Sequence, residues 1–290
     1  MKVIHLPVML REVIVLLKPE SGGIYVDATV GLGGHSEEIL KHIGSGMLIG
    51  IDRDDEALNM ARSRLADNRV VLKKGIFSEV GRLVAETGVT EVDGILFDIG
   101  TSMFHLKTAE RGFSFLSEEP LDMRMDRSQD LTAAYIVNRY SEKDIDRILW
   151  EYGEERLSRK IARAIVDCRA KKKIGTCAEL SDIVCSVYKG RGKLHPATKT
   201  FQALRIAVND EMNELKKGLD ASLGILKSGG RLCVISYHSL EDRIVKNFIR
   251  DNQKLGVFNM LTKKPLVPAY EEVRLNPSAR SAKLRGAEKK

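Results

Sequence analysis

Acidic residues that close short apolar runs are the feature of this chain best suited to chemistry. Asp27 follows the run from Gly23 to Val26, Asp52 follows the run from Met47 to Ile51, and Asp98 ends the run that begins at Gly94. After Asp27 comes a glycine-rich turn, Ala28-Thr29-Val30-Gly31-Leu32-Gly33-Gly34-His35-Ser36, from which a helical pattern starts. Glycines in such a turn let a ligand approach the backbone, and an acid about 20 residues further on holds a pair of ribose hydroxyls. Asp52 stands at that distance. The turn also discriminates between cofactors. A dinucleotide fingerprint carries a third glycine for close packing of helix on strand, whereas Ser36 occupies that position here. Asp27 would repel a pyrophosphate, yet its carboxylate suits the ammonium of an amino-acid-derived cofactor. The pattern therefore favours S-adenosylmethionine over NAD. A glycine-rich turn holding no ligand is the plain alternative, and it would need neither acid.

Asp98 ends the fourth apolar run, where ligands of open parallel sheets sit. It is expected to face the reactive end of the cofactor or the substrate, with a helix N-cap as the alternative. Two strings, Arg111-Gly112-Phe113-Ser114-Phe115 and Leu121-Asp122-Met123-Arg124-Met125-Asp126, follow no regular period and suit a loop with a defined task. Phe113 and Phe115 could stack on an extruded base or could be core aromatics. Gln202, Arg205 and Asn209 share one face of a helix, as a buried network or a ligand edge. His238 stands beside Glu241 and Asp242. Proton chemistry at the imidazole and a Ser239–Asp242 helix cap explain that string equally well. No G-x-S-x-G string supports a hydrolase.

The elements that must position these residues alternate at first. Strand patterns at 24–27, 47–52, 70–73 and 94–98 are separated by helical ones at 36–43, 55–66 and 78–86, which implies βαβ units and a parallel sheet. An amphipathic helix covers about 10–17. After Asp98 the alternation breaks. Helical signals begin at Asp130-Leu131-Thr132 and Ser141-Glu142-Lys143-Asp144 and continue over 154–169, 177–187 and 198–222. A strand returns at 231–237, a helix follows over 240–252, and a basic tail ends the chain. The expected organisation is an α/β core from 1–110 and 206–290, interrupted by an all-helical insertion at 111–205.

Composition bounds the function. The chain has 290 residues, 43% of them hydrophobic and 30% charged, and no run long enough to span a membrane. Its four cysteines, Cys168, Cys177, Cys185 and Cys233, lack metal-ligand spacing, so reduced thiols, no metal and a cytoplasmic setting are expected. The net charge of +7 is concentrated at Arg169, Lys171, Lys172 and Lys173, at Lys189, Arg191 and Lys193, and in the tail. Clustered cations are a footprint for a polyanion, here nucleic acid, though each cluster taken alone also fits a solvated face.

Taken together, the strings closely resemble the RsmH (MraW) methyltransferases, which methylate the exocyclic N4 of a cytosine in small-subunit ribosomal RNA. The resemblance runs from His5-x-Pro7-Val8-Met9-Leu10 and the glycine turn through Tyr152-Gly153-Glu154-Glu155-Arg156 and His195-Pro196-Ala197-Thr198. It continues in Phe201-Gln202-Ala203-Leu204-Arg205, His238-Ser239-Leu240-Glu241-Asp242 and Ala279-Arg280-Ser281-Ala282-Lys283-Leu284-Arg285. It implies a Rossmann-like class I methyltransferase core with an inserted helical domain. Cofactor contacts are implied at Gly33, Gly34, His35, Asp52, Phe77 and Asp98, and one more falls on His105, where the family usually has Gln. Asp98 and Ser102 become the candidate catalytic acceptors. Arg111, Phe113, Phe115, Asp122, Arg124, Arg205 and His238 become candidate substrate residues. The implied partner is ribosomal RNA within the small subunit, and a homodimer is the candidate assembly. A catalytically silent RNA-binding or ribosome assembly factor on the same fold is the rival reading. Such a factor would have no use for Asp27, His35 and Asp52 together.

Overall fold

The computed structural model describes residues 7–100, 111–115, 117–190 and 195–290. The chain divides into two compact units, Met1–Thr101 with Met212–Lys290, and Ser102–Glu211. The expected insertion, 111–205, is thus shorter at both ends than the compact unit.

The first unit carries a seven-stranded sheet in the order β3-β2-β1-β4-β5-β7-β6. Its strands are β1 (Ile24–Asp27), β2 (Met47–Asp52), β3 (Val70–Lys74), β4 (Val92–Asp98), β5 (Leu226–Ser236), β6 (Phe258–Met260) and β7 (Lys283–Lys289). The first five run parallel, while β7 pairs antiparallel with both β5 and β6. Helices α1 (Leu10–Leu17), α2 (Gly34–His42), α3 (Asp55–Arg64) and α4 (Val80–Ala85) connect or flank the early strands. Two apolar clusters sandwich the sheet. One holds Val26, Ile49, Ile95, Phe97 and Val234, and the other holds Val13, Leu48, Leu96, Cys233 and Ile235. Alternate residues of β4 and β5 therefore face opposite layers, which is why the central strands read as nearly continuous apolar runs. Chain order reverses between β1 and β4, so a crevice opens there at the carboxyl ends of the strands.

The tail departs from expectation. Rather than a free basic extension, Lys283–Lys289 is strand β7, wedged between β5 and β6 with Leu284 and Ala287 buried. Its cations serve the fold. Arg285 is buried and its Nε donates to Asp242 Oδ1 at 2.7 Å, while Lys289 Nζ donates to the carbonyls of Leu223 and Leu226 at 2.7 and 2.6 Å. Small and charged residues interrupt the apolar pattern of this strand, which hides it from a periodicity argument.

The second unit contains α5 (Ala133–Arg139), α6 (Glu142–Gly153), α7 (Ser158–Arg169), α8 (Cys177–Val187) and α9 (Thr198–Asn209). Ile136, Leu149, Ile161, Leu180 and Leu204 meet in its core. Starts are set by side-chain caps. Thr132 accepts from Tyr135 N, Ser141 from Asp144 N, and Thr176 with Glu179 forms a capping box. The helix expected over 198–222 is two helices. Asp210 takes a left-handed conformation (φ 49°) that ends α9, and α10 (Glu211–Ile225) begins at the next residue.

Candidate active site at the carboxyl ends of the strands

Asp27, Asp52 and Asp98 are the last residues of β1, β2 and β4, so three carboxylates gather where the strand order reverses. Their environments differ, and so do the tasks open to them. Asp52 lies at intermediate depth with both oxygens braced. Oδ2 accepts from Gly31 N at 2.8 Å and Oδ1 from Asp54 N at 2.9 Å. The two amides fix the orientation of both oxygens, and a carboxylate oxygen can accept more than one hydrogen bond, so the group has the chemistry to meet neighbouring hydroxyls. Gly31 and Gly33 sit at φ 50° and 79°, left-handed values that glycine adopts without a Cβ clash.

The hydrogen bonds of this turn bear on the ligand. The amides of Thr29, Gly31 and Gly33 are already engaged, by Asp27 Oδ1, Asp52 Oδ2 and the Val30 carbonyl. A pyrophosphate cradle would need such amides turned outward. The turn is built around two carboxylates instead, which fits a cofactor with an amino group and ribose hydroxyls.

Asp27 is buried. Its Oδ2 accepts from the Ser36 hydroxyl at 2.7 Å. Burial pushes its carboxyl up to about 6, against the pull of His35, of the Ser36 hydroxyl and of the Thr29 amide. His35 Nε2 lies 2.9 Å from the Val8 carbonyl, which can only accept, so Nε2 carries a proton. Its Nδ1 then faces Asp98, 3.8 Å from Oδ2.

Asp98 is tied on two more sides. Its amide donates to Thr29 Oγ1 at 2.7 Å, and the Tyr237 hydroxyl donates to Oδ1 at 2.8 Å. Burial, and then the charge of Asp98, push the Tyr237 phenol well above its ordinary value, so it stays protonated and donates. Neither Thr29 nor Tyr237 is singled out by local spacing. The available signal is positional: Tyr237 directly follows β5, the strand paired with β4. Phe77 begins a short 3₁₀ turn after β3 and packs edge-on against Phe97 of β4, with centroids 5.9 Å apart. Ser102 and His105 lie outside the described residues.

His238 is the N-cap of α11 (Ser239–Lys254). Its Nδ1 accepts from Glu241 N at 3.5 Å, and Glu241 Oε2 accepts from the amides of Tyr237 and His238. The cap expected of Ser239 and Asp242 is therefore made one residue earlier, by His238 and Glu241. Asp242 instead pairs with Arg285 and Lys283.

The other expected substrate residues belong to the second unit, where most are committed to its architecture. Arg111 is buried and its Nη1 donates to the Met125 carbonyl at 3.3 Å. Phe113 is in the helical core, and Phe115 stacks on His195 with centroids 4.4 Å apart, so the core alternative describes their placement. Arg124 grips Asp122 with Nε and Nη2 at 2.7 and 2.9 Å, and its Nη1 donates to the carbonyls of Arg127 and Gln129. Burial alone would raise the Asp122 carboxyl, but the bonds from Arg124 outweigh it and the net shift is downward. Arg205 holds Glu211 through two contacts of 2.8 and 2.7 Å. Gln202 donates to the Tyr152 carbonyl, and Asn209 bonds both Met123 O and Met125 N. The polar stripe on α9 is thus a network that clasps the irregular loop. Among the basic clusters, Arg169 donates to the Val137 carbonyl, Lys172 pairs with Glu179, and Lys171, Lys173 and Lys189 are exposed. Arg191 and Lys193 lie outside the described residues.

Known proteins resemble this chain along nearly its whole length. The model of the MraW methylase family matches residues 2–290. A protein of Persephonella marina named ribosomal RNA small subunit methyltransferase H is 51% identical, over 98% of this chain and 99% of its own. Proteins of the same name from Sulfurihydrogenibium sp. and Dictyoglomus turgidum are 49% and 50% identical, over 97% and 100% of this chain and 97% and 98% of their own. The strand order with an antiparallel β7 is that of a Rossmann-like class I methyltransferase. A fold of that class, acids at the strand ends and a match along nearly the whole length lead to one conclusion: this chain belongs to the MraW methylase family.

Proposed function

We propose that the chain transfers a methyl group from S-adenosylmethionine to the exocyclic N4 of a cytosine in small-subunit ribosomal RNA, in the cytoplasm. The observation that carries this reading is about 50% identity over essentially the full length to proteins named for small-subunit ribosomal RNA methylation. The site fits the donor, because its turn amides serve carboxylates and its acids stand at three strand ends. When bound, the donor supplies an electrophilic sulfonium methyl. Asp52 holds the ribose hydroxyls on its two braced oxygens. Asp27, close to His35, provides negative charge for the donor's ammonium.

Asp98 accepts a hydrogen bond from the attacking amine. The cytosine amine is a poor nucleophile because its lone pair is delocalised into the ring. A fixed acceptor on its N–H favours the charge that develops as the new bond forms, and such preorganised groups supply much of an enzyme's rate enhancement. The base must be unpaired or extruded to reach the strand ends. Exposed Lys171, Lys173 and Lys189 supply cations for phosphates. The test is transfer of labelled methyl to ribosomal RNA followed by nucleoside analysis. Label in N4-methylcytidine is expected. Label in another nucleoside, or none with folded, donor-bound protein, would overturn the assignment.

A further inference from the structure

Tyr237 is engaged in more ways than a core aromatic requires. Its backbone amide donates to Glu241 Oε2 at 2.7 Å, which anchors the residue where β5 ends. Its ring lies against the α-carbon of Gly100, so closely that a Cβ at position 100 would overlap the ring carbons. Only glycine leaves room for the ring to reach across from β5 to the end of β4. The hydroxyl then meets Asp98 Oδ1 at 2.8 Å, while Oδ2 faces His35 Nδ1 at 3.8 Å. With one oxygen held, the carboxylate cannot rotate freely about its Cβ–Cγ bond, and its remaining lone pairs point in set directions.

We propose that Tyr237 is a positioning residue for methyl transfer. Its hydroxyl sets the plane of the Asp98 carboxylate so that a free lone pair meets the N–H of the attacking amine. The inference rests on the reading of Asp98 as that acceptor. It concerns geometry at the reacting centre rather than grip on the donor, so it predicts a split between turnover and binding.

Tyr237→Phe removes the hydroxyl and keeps the ring against Gly100. Measured on the full chain with ribosomal RNA, turnover at saturating donor should fall about tenfold or more, while donor Kd from calorimetry should change less than about threefold. Asp98→Asn alone should lower saturated turnover by about a hundredfold. In the Asp98→Asn background, adding Tyr237→Phe should cost less than about threefold in single-turnover rate, because the group it positions is already altered. Turnover of Tyr237→Phe within twofold of the parent, with Asp98→Asn impaired, would sink the positioning role alone. Equal losses in the two backgrounds would also sink it, since Tyr237 would then act independently of Asp98. Near-parental turnover of Asp98→Asn would overturn the reading of Asp98 and this inference with it.

Discussion

Asp27 and Asp52 are both strand-end carboxylates, yet their surroundings separate their behaviour. Asp52 is braced by two amides and partly open, so its loss should be felt directly in donor binding. Removing hydrogen bonds to a charged acceptor costs roughly 1.5–3 kcal/mol. Asp52→Ala should accordingly raise donor Kd about ten- to a hundredfold by calorimetry. Asp27 carries the pH dependence. Its carboxyl is raised to about 6 from an ordinary 3.8, so between those values the folded protein holds a proton that the unfolded chain releases. Stability of the ligand-free protein should fall as pH rises through that window, by on the order of 1–3 kcal/mol. A cationic donor prefers the ionised carboxylate, so its affinity should rise from pH 5 to pH 7 and then level off. Asp27→Asn should flatten both profiles. Chemical denaturation and calorimetry across that range read the two effects.

Among the elements, α9 shows how a polar face can be structural. Asn209 is buried, accepts from Met125 N at 2.8 Å, and donates to Met123 O at 2.8 Å and to Arg205 O at 2.9 Å. Truncation strands two backbone groups of the loop, and each unsatisfied buried group costs about 1–3 kcal/mol. Asn209→Ala should destabilise the protein by about 2–4 kcal/mol in urea titrations. Donor affinity of the folded fraction should be unchanged, because the groups bonded to Asn209 belong to the loop and to α9 rather than to the strand ends. Asp210 makes the helix break possible by adopting φ 49°, a conformation in which Asp and Asn are enriched among non-glycine residues. No periodicity argument registers such a break, since apolar spacing runs on through it.

For the whole molecule, the distribution of exposed charge bears on the proposed RNA substrate. Of the cations counted in the sequence, Arg285 and Lys289 are bound up in the sheet, Arg169 in a helix contact and Lys172 in an ion pair with Glu179; Arg274, Arg280 and Lys290 of the tail are exposed, and so are the helical unit's Lys171, Lys173 and Lys189. Replacing those last three with Gln should flatten the dependence of log K for RNA on log salt by up to about 2, at about 0.7 for each single-strand phosphate that is no longer neutralised. Donor affinity should stay put, and filter binding across salt concentrations checks it; an unchanged slope would return these lysines to the solvated face.

The local pattern was enough for β1 to β4, the glycine turn and the strand-end acids, because apolar runs, turn residues and chain-near carboxylates are determined within a few dozen residues. The same holds for the caps at Thr132 and Ser141, where a short side chain meets an amide three positions on. Only the tertiary structure could decide that Lys283–Lys289 is an interior strand, since its pairing partners β5 and β6 lie elsewhere in the chain. It alone decided that Arg124 and Arg205 hold their own unit together. It alone decided that Tyr237, 139 positions from Asp98, completes the acid's environment. Periodicity reports which face of an element is apolar. Which distant polar group meets a given carboxylate depends on how strands are ordered across a sheet, and nothing in the spacing of neighbours encodes that.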